Sequence, residues 1–339
     1  MTTVTTPRRP RDRGKATTAE LVESRRWSTA AGLVFIVGLA VVALLLPALG
    51  IGSYWVAVAY SAAFYIALAQ SWNLLSGFTG YVSIAQGALA GLGSYTAVLA
   101  SNAGLGYVPA LAVAGLVGLV ASVLIGLPSL RLKGIAFAIA TVFFQEMMLI
   151  VAEKAEPVTR GPQGLAAETL VPLSTPLVSM VLLASFGTAL VFAVRRTRLG
   201  LQLLALRDDE LAAEVAGIRT TPLKLGMFAA SASLAGVVGG VHGFYLATLF
   251  PRDVFIPDIS LEALVVAMVG GAGSAVGPVV VGALYAFVQE TLRGLGSALQ
   301  LVFLGTVLLA TVLFAREGVA GTAARIRRGL LSRRQERVA

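Results

Sequence analysis

The chain has 339 residues, 57% hydrophobic and 13% charged, with a mean hydropathy of +0.85 and a net charge of +9. Having no cysteine, it has no disulfide framework, thiolate nucleophile or cysteine–metal site, and its single histidine excludes a histidine-rich metal centre. No Asp, Glu, Lys, Arg or His occurs from residue 27 to 130, a length over which a soluble domain would have to expose charge. About 20 apolar residues make one spanning helix. Hydrocarbon admits only helices or closed barrels, and long apolar runs without period-2 alternation select helices. An all-α polytopic membrane protein is expected.

In chain order, residues 1–26 form a basic tail holding seven Lys or Arg. It lacks the h-region and small-residue cleavage site of a signal peptide and is expected to be retained. A transmembrane domain is expected over 27–315, starting with spans at 27–49 and 54–75. Residues 77–93 are apolar but interrupted by five glycines. That pattern reads as a helix packed closely through small residues, preceded by a broken or re-entrant segment. A span at 107–127 stops at Pro128, and the basic turn Arg131-Leu132-Lys133 leads to another at 134–151. The loop 153–175 is polar and contains proline.

A span at 176–194 leads to a charged island, and 223–250 returns across the membrane. Residues 260–290 are divided by Gly270-Gly271-Ala272-Gly273-Ser274-Ala275-Val276-Gly277-Pro278, giving two short helices or a re-entrant hairpin. A last span at 297–314 precedes a basic tail at 316–339. The sum is about ten transmembrane helices. The basic residues concentrate in the two tails, the 131–133 turn and the island. The positive-inside rule therefore places these four segments, and both termini, in the cytoplasm. Such a distribution reads as topology signal and anionic-lipid contact rather than nucleic-acid binding. Two glycine pairs, Gly77-x-x-Gly80 and Gly270-x-x-Gly273, hint at an internal duplication.

The island, 195–222 and on to Lys224, carries ten charges in thirty residues between membrane-like sequences. Leu204, Leu211, Val215 and Ile218 fall on one face at helical spacing, opposite most of the charges. Asp208 is positioned to cap a helix starting at Asp209, and Gly217 is a natural residue to end it. The product is an amphipathic helix, either simply solvated or offered to a partner.

Arg198-Leu199-Gly200, and then Ala205-Leu206-Arg207-Asp208-Asp209-Glu210-Leu211-Ala212-Ala213-Glu214 to Gly217-Ile218, resemble the ATPase-docking loop of ABC importer permeases. The similarity is narrower, to the branched-chain amino acid (LivM-type) permease family. It continues in Leu130-Arg131-Leu132-Lys133-Gly134 with Thr141, in Gly161-Pro162-Gln163-Gly164-Leu165 and in the Gly270–Pro278 stretch. Ala136 stands where the family usually carries an aromatic, and Arg160 where it carries a glycine.

This resemblance implies an ABC importer permease fold and a multi-pass subunit of a bacterial plasma membrane. The implied cargo is branched-chain or related apolar amino acids, moved by alternating access. The implied partners are two cytoplasmic ATPase subunits, a related second permease and an extracytoplasmic binding protein. It assigns ATPase coupling to Arg207, Asp208, Asp209, Glu210, Ala213, Glu214 and Gly217. No G-x-x-x-x-G-K-[ST] occurs, so no cofactor is expected on this chain and ATP is expected on the partner subunits. Neither a catalytic constellation nor a metal site is expected. Urea or short amides are the alternative cargo, and an ATP-independent channel or secondary transporter is the alternative class.

Candidates for the translocation path are Asn73, Gly77, Gly80, Ser83, Gln86, Glu146, Gly270, Gly271, Gly273, Ser274, Gly277 and Pro278. Glu146 interrupts an uncharged span, and intramembrane carboxylates are costly. It either lines the path and meets a substrate ammonium, or lies near the outer end of its helix, snorkelling or hydrogen-bonded within the bundle. Asn73, Ser83 and Gln86 either line a cavity or hydrogen-bond between helices. The Gly270–Pro278 stretch either faces the path or packs tightly. His242, among three glycines, reads as a packing or hydrogen-bonding residue.

Overall fold

The computed structural model describes residues 52–132, 134–169 and 171–293, with scattered helical positions between 299 and 309. Both basic tails, the expected span at 27–49, most of that at 297–314, and Lys133 lie outside the described residues.

Helix α1 (Ser53–Trp72) continues into a π-helical turn (Asn73–Gly77), and α2 (Gln86–Asn102) begins only after an irregular buried stretch. α3 (Tyr107–Ser129) and α4 (Ile135–Lys154) follow, then a short α5 (Glu156–Thr159), a 3-10 turn (Gly161–Gln163) and β1 (Leu165–Ala166). α6 (Ser174–Arg196) leads to two short helices, α7 (Arg198–Asp208) and α8 (Glu210–Val215). The long α9 (Thr220–Leu246) precedes β2 (Thr248–Leu249), α10 (Pro251–Val254), α11 (Pro257–Gly270) and α12 (Gly277–Arg293).

The molecule is mostly helical, as expected. Among the described residues, α3, α4, α6 and α9 are long and apolar enough to cross a membrane. α11 has 14 residues, about 21 Å at 1.5 Å per residue, well short of the ~30 Å hydrocarbon core. It is therefore too short to cross alone. A two-residue antiparallel pair, Leu165 opposite Leu249 and Ala166 opposite Thr248, departs from the all-α expectation. It ties together the two loops at the end of the bundle opposite the charged island. α3 also runs one residue past Pro128. Proline in the last turn forfeits only its own N–H bond, and Leu130 N–H still closes on the Gly126 carbonyl at 2.9 Å.

α9 is the axis of the bundle, packed against both α2 and α3. A Cβ at Gly93 would run into the Gly236 backbone, and one at Gly239 into that of Ala90. One at Gly115 would lie 2.7 Å from Val237. Lipid gives helices no hydrophobic drive to associate, so close backbone approach and interhelical hydrogen bonds carry the packing. Ser94 Oγ accordingly donates to the Gly239 carbonyl at 2.7 Å. On the other flank α1 lies against α6 and α12, with Gly187 over Gln70 and Gly282 over Ile66.

Candidate functional site: a charged loop fastened to two broken segments

The island folds as two helices rather than one. Thr197 caps α7 by accepting from Gly200 N–H. Asp209 then turns extended, at φ −156°, and its side chain caps α8 by accepting from Ala212 N–H at 3.0 Å. Asp208, expected to be that cap, is instead the last residue of α7. α8 closes with Gly217 at φ 84°, where Ile218 N–H bonds the Ala213 carbonyl and Gly217 N–H that of Glu214. This is the Schellman arrangement that a glycine permits.

The break at Asp209 restarts the helical phase and overturns the expected apolar face. Leu203, Leu206 and Ala213 are buried, Leu204 and Ile218 half-buried. Leu211 is 65% and Val215 91% exposed, beside exposed Ala212 and Ala216. The short helix thus turns small and branched apolar side chains outward.

Its charged residues reach back to the bundle, Glu210 largely covered and Glu214 still exposed. Glu210 Oε1 lies 2.7 Å from Lys224 Nζ, whose side chain is only 4% exposed, and Tyr81 hydroxyl donates to Glu210 Oε2 at 2.6 Å. Lys224 also donates to the Tyr81 oxygen at 3.1 Å and to the Leu130 carbonyl at 3.5 Å. Glu214 accepts from Thr220 Oγ1 at 2.7 Å, joining α8 to the first turn of α9. Arg207 Nη1 donates to the Gly77 carbonyl at 2.7 Å and reaches that of Ala272 at 3.5 Å. Arg195 Nη1 lies 3.4 Å from the Gly273 carbonyl.

Beneath Arg207 the two glycine-rich segments meet. Asn73 Oδ1 accepts from Gly273 N–H at 2.7 Å, and its Nδ2 donates to the Ser274 carbonyl at 2.8 Å. A Cβ at Gly77 would sit 2.7 Å from Gly273 N, so only glycine lets these backbones touch. Gly270 is equally close to Gly277 and Pro278. Gly271 (φ 102°) and Gly273 (φ 82°) make the reversal between α11 and α12, and Ser274 Oγ accepts from Gly277 N–H at 3.2 Å. Gly80, at φ 77°, lies under the Arg207 side chain.

Deeper in the bundle runs a seam of neutral polar groups. Ser71 Oγ donates to Gln86 Oε1, and Gln86 Nε2 donates to Ser231 Oγ at 3.0 Å. The Ser83 carbonyl accepts from Trp72 Nε1 at 2.8 Å. The N-terminal turns of α2 and α11 meet here. Gly87 N–H donates to Ser260 Oγ at 2.7 Å, Ser260 Oγ donates to Gln145 Oε1, and Gln145 Nε2 donates to the Phe255 carbonyl at 2.7 Å. Asn73, Ser83 and Gln86 are thus buried and bonded between segments. Glu146 is not among them: it points out of the bundle while Gln145 points in. His242 meets Tyr60 hydroxyl at 3.1 Å and stacks on Phe64, as a packing residue.

Sequence reasoning passed over Tyr81, Gln145, Ser231, Ser260 and the buried role of Lys224. It also missed Glu262, which accepts from Gln289 Nε2 at 2.8 Å and Tyr285 hydroxyl at 3.2 Å inside the α11–α12 pair. The rule that singled out Glu146, an acid inside an apolar run, applies equally to Glu262.

The family described as "Branched-chain amino acid transport system / permease component" matches residues 54–312, which include both broken segments and the charged loop. The chain belongs to this permease family. Two curated relatives, both called high-affinity branched-chain amino acid transport system permease protein LivM, come from Salmonella typhimurium and Escherichia coli K12. Each is 27% identical over 317 residues, covering 84% of the permease and 74% of the relative. No solved structure matches. The permease is therefore a membrane-embedded transport subunit rather than an enzyme.

Proposed function

We propose that the chain is the membrane-spanning subunit of an ATP-driven importer of branched-chain amino acids, working by alternating access. In this reading about ten segments cross the plasma membrane. Both termini and the α7–α8 loop face the cytoplasm, as the basic segments favour. ATP is bound by separate ATPase chains, a second permease completes the membrane part, and an extracytoplasmic protein delivers the cargo.

The observation that carries this reading is the two-sided character of α8. Outside, it offers Leu211 and Val215 to a partner. Inside, Arg207, Glu210 and Glu214 fasten its surroundings to the broken segments, to Lys224 and to α9. A push on its outer face is thereby delivered to both discontinuous crossings. A loop that was merely solvated would not need exposed apolar residues on a helix tied at several points to the bundle.

Uptake by vesicles holding the assembled transporter, with labelled leucine and labelled urea in competition, tests it. ATP-dependent leucine uptake is expected. ATP-independent uptake would mark a channel or secondary transporter, and preference for urea a short-amide importer.

A further inference from the structure

α4 presents one stripe outward along its whole length. Ile135, Ile139, Phe143, Glu146, Met147, Ile150 and Lys154 are exposed, at the three- and four-residue spacing of a single helix face. Glu146 is the charge within it. Eight residues separate it from Lys154, about 12 Å along the axis. A glutamate side chain cannot cover that distance, so Glu146 does not reach the level of Lys154. Its neighbour Gln145 is fixed inward on Ser260 and Phe255, which fixes the rotation of α4 and holds Glu146 outward.

Among the described residues, none hydrogen-bonds or pairs with Glu146. Residues 27–49 contain no ionisable or amide side chain to do so. An acid facing acyl chains at mid-helix is strongly disfavoured. The exposed faces of α3 (Val108, Leu116, Leu124) and, before its terminal Arg195 and Arg196, of α6 (Leu182, Phe186) carry no charge, as lipid-facing surfaces should. The α4 face differs from them in carrying a carboxylate half-way along an otherwise apolar stripe.

Its far end opens on a cavity of about 420 Å³ lined by Glu153, Lys154, Glu156 and Arg252 among others. Charges of both signs stand at its mouth, followed by an apolar stripe with one carboxylate half-way. That sequence of surfaces suits a zwitterion with an aliphatic side chain.

We propose that Glu146 binds the ammonium group of the transported amino acid, with Phe143, Met147 and Ile150 receiving its aliphatic side chain. The α4 stripe is then one wall of the path. This inference rests on the importer reading above.

The absence of cysteine makes a direct test available. In the transporter assembled with its partner subunits in vesicles, Glu146→Cys should react with a charged, water-soluble thiosulfonate far faster than Phe186→Cys. Leucine and ATP together should slow that reaction. Glu146→Gln should lower leucine uptake tenfold or more, with assembly and ATP hydrolysis retained, and Glu146→Asp should recover part of it. Equal labelling of the two cysteine variants, undiminished uptake by Glu146→Gln, or loss of assembly in Glu146→Gln would each overturn the assignment. Absence of leucine uptake by the unmodified transporter would refute the importer reading itself, separately from the labelling comparison.

Discussion

Lys224 and Glu210 form an ion pair at 2.7 Å across the join between α9 and α8, with Tyr81 hydrogen-bonded to both. Lys224 is 3% exposed. Removing one member of such a pair leaves a buried charge and costs about 3 kcal/mol or more, whereas replacing both by apolar groups is close to neutral. Lys224→Met should therefore lower the thermal unfolding midpoint in detergent markedly, and Lys224→Met with Glu210→Met should regain most of the loss. A single variant as stable as the parent would show that the pair contributes nothing.

Arg207 works on the backbone, and a charged group's hydrogen bond is worth ~1.5–3 kcal/mol. Arg207→Ala should cut uptake roughly tenfold while the permease still inserts and still binds its ATPases. Arg207→Lys should not rescue it, because one ammonium does not reproduce the planar fork that reaches toward both Gly77 and Ala272. The measurement is uptake and ATP hydrolysis on the same preparation, and parallel loss of both would argue against a coupling role.

Leu211 and Val215 are exposed, so polar replacements should shift stability by no more than about 0.5 kcal/mol. Leu211→Asp with Val215→Asp should instead abolish co-purification of the ATPase subunits. Retained co-purification would place the docking contact elsewhere.

Arg160 holds a left-handed backbone, φ 58°, at an exposed position between α5 and the 3-10 turn. A non-glycine residue there carries ~1 kcal/mol of strain. Arg160→Gly should raise the thermal midpoint by a few degrees, read by unfolding in detergent. A midpoint that falls would mean that the guanidinium makes a compensating contact.

Much of the fold was legible because hydrocarbon leaves so few solutions. The apolar runs around α3, α4, α6 and α9 announce themselves by length alone, and the glycines of 77–93 and 270–278 mark where helices break. The orientation of side chains around α8 was not legible. Its phase depends on one extended residue, Asp209, and a periodicity count carried through that break puts Leu211 and Val215 on the wrong face. Glu146 and Gln145 show the same limit. Adjacent polar residues in one apolar run look equivalent, and only the packing of α4 against Ser260 separates the fixed amide from the outward acid. Glu262 was missed because its partners, Tyr285 and Gln289, lie on the next helix.

The carbonyls held by Arg207 have a further consequence. Gly77 closes the turn that ends α1, and Ala272 lies just past the end of α11. Each helix terminates in a partial negative charge of about half an electron, and here two such termini meet at one guanidinium. Brought together alone they repel; a guanidinium between them makes the meeting favourable. The junction is thus an electrostatic latch whose keeper sits on the α7–α8 loop. Withdrawing Arg207 would leave Asn73 alone to hold two ends that repel.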